Sequence, residues 1–215
     1  MSLLKLWFDE MPREGPENMA VDEWLLETVE APLLRIYGWR GEWGTCGYFV
    51  PAGEVEALLG GIPWVRRWTG GGIVDHRADW TYTLVIPRGE RLAEAKGSSS
   101  YRIIHAALAA ALSGRGVSLA GERPPARGGA CFTTAVEHDL VDATGRKLAG
   151  AGQRRTRKGL LHQGSLAVSL RPEEAWSFAR KLAEGVRETE VEPDPGRVAE
   201  LVNLRYGDGA WNHRR

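Results

Sequence analysis

Strand-like and helix-like segments are mixed irregularly along this chain, and their order is what most constrains its fold. Apolar residues at helical spacing fall in segments 17–29, 101–112 and 173–186, whereas β-rich runs fall in segments 33–39, 81–87 and 160–170. This order lacks the regular strand–helix–strand repetition of a doubly wound parallel sheet. The sequence therefore predicts an α+β fold with a mostly antiparallel central sheet flanked by helices.

Two local signals refine this prediction. Three serines at 98–100 precede the second helical segment, and Ser side chains are favoured as helix N-caps. Thr144-Gly145 interrupts the stretch 137–152, and such a pair suits a tight turn between antiparallel strands. We therefore predict a serine cap for one helix and a β-hairpin around Gly145.

Length, charge and cysteine content exclude several classes of protein. The chain has 215 residues, enough for one core, and we expect a single domain over 1–215. Its 28 basic and 28 acidic residues cancel, which argues against a nucleic-acid or membrane partner. No run reaches the roughly 18 apolar residues of a membrane span. Asp9 and Glu10 come too early for a signal peptide. Cys46 and Cys131 lack metal-site spacing, so we expect a cytoplasmic protein without metal.

The segment RRWTGGGIVDH, residues 66–76, is the first candidate for a binding site. Glycines without Cβ atoms fit a plain turn, but they also let backbone N–H groups lie close to a ligand. The two arginines can bind a carboxylate or phosphate, and a histidine titrates near neutral pH. We predict a substrate-binding loop that comprises Arg66, Arg67, Thr69, Gly70, Gly71, Gly72 and His76.

Cys131 and Lys147 are the candidate reactive groups. Cys131 follows a glycine- and proline-rich stretch, where a thiolate stabilised by a nearby cation can act as a nucleophile; the alternative is a packed thiol. Lys147 precedes the small residues 149–152, which leave room for a substrate beside its ammonium group. A lysine in that position can stabilise an oxyanion, whereas most lysines are simply solvated.

Five motifs in this order resemble the biotin/lipoate protein ligase superfamily, specifically its lipoate-attaching branch. They are NMAVDEWLLE, RRWTGGGIVDH, GRKLAGAGQRR, LLHQGSL and LRYGDGAWNHRR. The resemblance covers nearly the whole chain and implies the catalytic-domain fold of that superfamily. Biotin ligases carry a GRGR-type loop where this chain has RRWTGGG, which makes that branch less similar.

Within the lipoate branch, the chain is most similar to the Cys-dependent octanoyltransferases. The segment ADWTYTLVIP after the loop histidine, and Cys131 ahead of EHDLVDATGRK, resemble the matching segments of those enzymes. The resemblance implies that Cys131 forms a thioester and that Lys147 orients the carbonyl. It also implies that residues 67–72 and His76 form the wall of an acyl pocket. Further substrate-binding residues implied are Gly150, Gln153, His162 and Gly164.

Function and partners follow from the same resemblance. The implied reaction moves an octanoyl or lipoyl group from acyl carrier protein to a lysine of lipoyl-domain proteins, such as glycine cleavage H protein or a 2-oxoacid dehydrogenase E2 subunit, without a cofactor. The alternative is an ATP-dependent lipoate ligase that uses Mg, forms an adenylate and relies on a separate accessory subunit, since the accessory domain is not expected within this chain. A non-catalytic protein that binds lipoate or its adenylate is the third possibility.

Overall fold

The computed structural model describes residues 1–121 and 135–214. These residues form eleven strands: β1 (Leu3–Arg13), β2 (Leu33–Trp39), β3 (Gly44–Cys46), β4 (Trp64–Arg66), β5 (Ile73–Asp75), β6 (Trp80–Pro87), β7 (Ser118–Leu119), β8 (Leu140–Val141), β9 (Lys147–Arg155), β10 (Gly159–Leu166) and β11 (Gly185–Glu188). The helices are α1 (Gly15–Thr28), α2 (Ala52–Leu59), α3 (Arg91–Glu94), α4 (Gly97–Ala111), α5 (Pro172–Leu182), α6 (Pro195–Leu201) and α7 (Gly209–Asn212).

Eight strands form the main sheet, in the order β11-β1-β2-β6-β10-β9-β8-β7. Only β1 pairs in parallel, with β11 and with β2, and the five other pairings are antiparallel. The prediction of a mostly antiparallel sheet flanked by helices is confirmed. The hairpin prediction is also confirmed, since β8 and β9 pair across Gly145, whose φ is +83°.

The two faces of the main sheet are covered differently, because side chains alternate along each strand. On β10, Leu160 and Leu166 pack into the larger apolar core together with residues of α4 and α5. Leu161, between them in sequence, packs against Val21 and Leu25 of α1 on the opposite face. None of the helices in the described ranges is long and apolar enough to cross a membrane.

Helix α4 begins one residue before the predicted serine caps. Its N-cap is Lys96, and no side-chain cap is formed. The single hydroxyl donor of Ser100 instead lies within hydrogen-bonding distance of the carbonyl of Gly97 and of Oε1 of Gln153 on β9. The serine-cap prediction was therefore wrong, because Ser100 bonds across to the sheet from inside the first turn.

A small second sheet, in the order β4-β3-β5, supports the triglycine segment. The chain leaves β4 at Arg66, turns through residues 67–72 and returns as β5. The turn is tied to the loop after β3, since Gly47 N–H donates to the Gly72 carbonyl and Tyr48 N–H donates to the Thr69 carbonyl. Two backbone hydrogen bonds thus fix the turn above the main sheet.

Candidate functional site

A narrow cleft lies between the triglycine turn and strands β9 and β10. Seven of the residues predicted for the site line it, together with Thr45, Ala151, Gly152, Gln163 and Ser165. The seven are Arg67, Gly71, Gly72, His76, Lys147, Gly150 and Gly164.

Glycines make this cleft possible because the backbone of the triglycine turn packs directly against the backbone of β9. A Cβ on Gly152 would lie 2.3 Å from the Gly70 carbonyl oxygen. Gly71 has a φ of +94°, a conformation that side chains disfavour, and a Cβ there would lie 3.1 Å from Nη2 of Arg67. The turn can approach β9 this closely only if both positions are glycine.

Lys147 is held in a buried cluster at one end of the cleft. Its Nζ lies 2.7 Å from Oδ2 of Asp139, which is fully buried. The hydroxyl of Tyr101 donates to the other carboxylate oxygen of Asp139, at 2.5 Å. Gly150 makes room for the ammonium group, since a Cβ there would lie 2.6 Å from Nζ. The sequence predicted Lys147 as a site residue but neither Asp139, eight residues before it in the same hairpin segment, nor Tyr101, which is distant along the chain.

A chain of hydrogen bonds crosses the opposite wall of the cleft. Arg67 donates to Oγ1 of Thr45, which lies 2.8 Å from Nε2 of His76. Nδ1 of His76 lies 2.7 Å from Oδ2 of Asp79, and its ring stacks on Trp39. With the proton on Nδ1, the imidazole donates to the carboxylate and accepts from Thr45. This arrangement fixes both the tautomer and the plane of the ring.

The floor of the cleft rests on a buried polar network that the sequence did not reveal. Gln163 accepts from Thr69 of the loop and donates to Asp22 of α1, both at 2.7 Å. Arg35 donates to the other oxygen of Asp22, and its guanidinium lies over the ring of Tyr37. Burial, with repulsion from Asp22, raises the pKa of Tyr37 well above its ordinary value. The network ties the loop to helix α1 and strand β2.

Three of the residues predicted for the site, Arg66, Gln153 and His162, lie away from both the cleft lining and the turn. Arg66 is fully buried, and its guanidinium donates to carbonyls of the loop 47–50 and of the C-terminal segment, among them that of Asn212. His162 points to the opposite face of the sheet, where its Nε2 bonds the hydroxyl of Tyr82 and its Nδ1 accepts from Gln153. Arg66 and His162 therefore support the scaffold.

The remaining predicted residues are placed as follows. Thr69 and Gly70 form the turn itself, above Gln163 and Gly152. Cys131 lies outside the described residues. Cys46 is fully buried, and burial raises the pKa of its thiol, which makes it unreactive. Among residues 1–121 and 135–214, no group of His, Cys, Asp and Glu side chains could hold a metal ion.

Two buried histidines behind β10 predict a pH-dependent stability. Burial lowers the pKa of His105 to about 4, and burial with repulsion from His105 lowers the pKa of His162 well below its ordinary value. A histidine whose pKa is lower in the folded state contributes stability above its unfolded pKa of 6.5. That contribution is lost as the pH falls toward 4, and we expect His105 to account for about 3 kcal/mol of the loss.

The measurement is the free energy of unfolding by urea between pH 4 and pH 6.5, the interval set by the two pKa values of His105. His105 donates from Nδ1 to the carbonyl of His138, so His105→Asn keeps a donor there without a titrating group. The variant should show a flatter pH dependence than the wild type. An unchanged slope would contradict the assignment to His105.

The mixed sheet, the cleft between a glycine turn and a strand, and the buried lysine are found here in a catalytic domain of the lipoyl ligase type. The chain belongs to the lipoyl protein ligase A/B catalytic domain family, whose model matches residues 14–206. The resemblance identified from the five sequence motifs is confirmed.

Several relatives of this chain are octanoyltransferases named LipM. The one from Symbiobacterium thermophilum is 37% identical over 175 residues, which cover 74% of this chain and 63% of the relative. The one from Kyrpidia tusciae is 33% identical, with 80% and 68% covered. The one from Brevibacillus brevis is 30% identical, with 92% and 94% covered. The chain thus spans less than two thirds of the length of the first of these.

Solved structures share the fold. A lipoate-protein ligase A bound with ATP superposes with a TM-score of 0.78 and 20% identity, covering 99% of both chains. A bi-partite lipoate protein ligase from Thermoplasma acidophilum gives a TM-score of 0.73 and 18% identity, covering 99% of this chain and 97% of that one. The α+β architecture is therefore that of the lipoate ligase catalytic domain.

Proposed function

We propose that the protein is an acyltransferase that attaches an octanoyl or lipoyl group to a specific lysine of lipoyl-domain proteins. The observation that supports this most strongly is the glycine-walled cleft ending at the Lys147–Asp139 pair, in a chain 37% identical to an octanoyltransferase. The proposed donor is octanoyl acyl carrier protein. The proposed acceptors are proteins such as glycine cleavage H protein or a 2-oxoacid dehydrogenase E2 subunit.

In the first step, the thiolate of Cys131 attacks the carbonyl carbon of the donor thioester. The new carbon–sulfur bond forms as the donor's carbon–sulfur bond breaks, and the carrier leaves as its thiol after taking up a proton. One thioester replaces another, so the exchange is nearly balanced in energy and needs no ATP. The ammonium group of Lys147 stabilises the negative charge that develops on the carbonyl oxygen.

In the second step, the neutral ε-amine of the acceptor lysine attacks the carbonyl of the Cys131 thioester. A carbon–nitrogen bond forms, the bond to sulfur breaks, and the departing thiolate recovers the proton that the amine loses. An amide replaces a thioester, which makes this step favourable. Lys147 acts again on the oxyanion, while Arg67 and His76 hold the wall of the cleft in place.

The cleft also provides a basis for selecting the length of the acyl chain. The apolar and backbone surfaces of Met19, Val74 and Gly71 line it, and each methylene group buried there contributes roughly 0.8 kcal/mol. A chain that is two carbons short would therefore lose about tenfold in binding. Octanoate selectivity is consistent with such a slot.

Two parallel incubations test the proposal. In one, the protein receives octanoyl acyl carrier protein and a lipoyl domain without ATP; in the other, it receives octanoate, ATP and Mg with the same domain. We expect the mass of the lipoyl domain to increase in the first incubation. Modification only in the second would favour an ATP-dependent ligase, and bound octanoate without any modified acceptor would favour a binding protein.

A further inference from the structure

Three arginines and three aromatic residues form a closed ring beside the cleft. The guanidinium of Arg205 lies over the rings of Trp68 and Trp211, that of Arg214 over Trp211 and Tyr48, and that of Arg154 over Tyr48 and Trp68. The distances from guanidinium carbon to ring centroid are 4.1–5.5 Å. We call these six residues the arginine ring.

The arginine ring adjoins the cleft through three of its residues. Trp68 immediately precedes Thr69 and the three glycines, and Arg154 follows Gly152 by two residues on the same face of β9. Tyr48 is joined to the turn by its backbone hydrogen bond to Thr69. A molecule bound on the ring would therefore lie at the glycine side of the cleft.

Positive charge is concentrated in this ring although the whole chain has no net charge. Arg205 is paired with Glu23, but within the described part of the chain neither Arg154 nor Arg214 forms an ion pair. Burial lowers the pKa of the Arg66 guanidinium, and repulsion from the nearby Arg214 lowers it as well. An anion bound beside these guanidinium groups would reduce the repulsion between them.

The composition of the ring is that of a protein-binding surface. Tryptophan, tyrosine and arginine are the residues most enriched at the energetic centres of interfaces. Phe49, which follows Tyr48 on the same loop, is 84% exposed and lies against the Tyr48 ring. An exposed phenylalanine next to arginines with stacked guanidinium groups suits a partner with apolar and acidic groups side by side.

We propose that the arginine ring docks the acidic acyl carrier protein that delivers the acyl group, an inference that rests on the proposed function. A carrier presents its acyl chain on a phosphate-linked arm, and a planar guanidinium pairs well with phosphate and carboxylate oxygens. The group that an acceptor inserts is a lysine, which is cationic before it reacts and is repelled by guanidinium groups. Charge therefore assigns this side of the cleft to the donor.

The test compares the binding of octanoylated acyl carrier protein and of a lipoyl domain to the wild type and to variants. In the double variant Arg154→Gln/Arg214→Gln, we expect the affinity for the carrier to fall about tenfold or more, with a weaker dependence on salt than in the wild type. Phe49→Ser, at an exposed position, should weaken carrier binding without affecting the fold. The KM for octanoyl-pantetheine, which lacks phosphate and protein, should not change.

Arg180→Gln is the matched control, because Arg180 also stacks on a tryptophan, Trp176, on helix α5. It should bind the carrier like the wild type. The inference is overturned if the wild type does not bind the carrier, if the double variant keeps its affinity, or if binding of the lipoyl domain is lost instead. The protein could bind the carrier through the arginine ring and yet transfer no acyl group. That result would refute the proposed function but not the docking surface.

Discussion

Replacing Lys147 with methionine is expected to slow acyl transfer by about 100-fold or more, because the developing oxyanion loses its cation. The same change leaves the fully buried carboxylate of Asp139 without the ammonium that lies 2.7 Å away. Loss of one partner of a buried ion pair costs about 3–5 kcal/mol of folding stability. Both quantities are measured on the purified variant, as the single-turnover transfer rate and the free energy of unfolding in urea.

The loss of folding stability in Lys147→Met must be separated from the loss of transfer rate. Transfer should therefore be measured well below the unfolding temperature of the variant, with a saturating donor. Lys158→Met is the matched control, because Lys158 is exposed in the turn between β9 and β10. It should match the wild type in both measurements. A folded Lys147→Met protein that transfers within about threefold of the wild-type rate would contradict the role proposed for the ammonium group.

Replacing Gly152 with alanine is expected to reduce kcat/KM for transfer by about 100-fold. The added Cβ would lie 2.3 Å from the Gly70 carbonyl oxygen and 2.8 Å from Oγ1 of Thr69, so the turn must move away from β9. A displacement of about 1 Å near reacting groups is enough for a loss of this size. Because the φ of Gly152 is not positive, alanine adds this contact without backbone strain.

Gly38→Ala provides the comparison for this substitution. Gly38 is exposed on β2, and a Cβ there would meet no atom within 4 Å. Steady-state transfer and thermal unfolding should be unchanged in Gly38→Ala. If Gly152→Ala also transfers at the wild-type rate, the close contact between the triglycine turn and β9 is not needed for the reaction.

Local patterns were sufficient to predict the strands around the site but not their partners. The run 33–39 was predicted as a strand from its β-rich composition and is β2, and 81–87 lies within β6. The N-terminal strand β1 was missed, since its parallel pairing joins Leu3 to Gly185 and Lys5 to Leu33. Such pairings depend on contacts between distant segments, which a local pattern does not specify.

The residues of the site divide in the same way, into those that a short motif predicts and those that only the folded structure identifies. Glycine at 71 and 72, Arg67 and Lys147 could be predicted because their chemistry is concentrated in short motifs. Asp139 lies eight residues before Lys147 in one hairpin segment, and its role was not predicted. Tyr101, which donates to Asp139, and Asp22, which anchors Gln163, are brought to the site only by the fold. An acidic residue on the apolar side of a helix, as at Asp22 among Val21 and Leu25, was the available signal for a buried network.

The proposed reaction passes through a covalent acyl intermediate on Cys131, which the intact mass of the protein reveals directly. The wild type and Cys131→Ser would each be incubated with octanoyl acyl carrier protein in the absence of ATP and of any acceptor. We expect one octanoyl adduct on the wild type, labile to hydroxylamine, localised by peptide mapping to Cys131 and absent from the variant. A lipoyl domain is then added to each incubation. Octanoylation of that domain by a wild type that carried no adduct, or by the Cys131→Ser protein, would contradict a covalent intermediate.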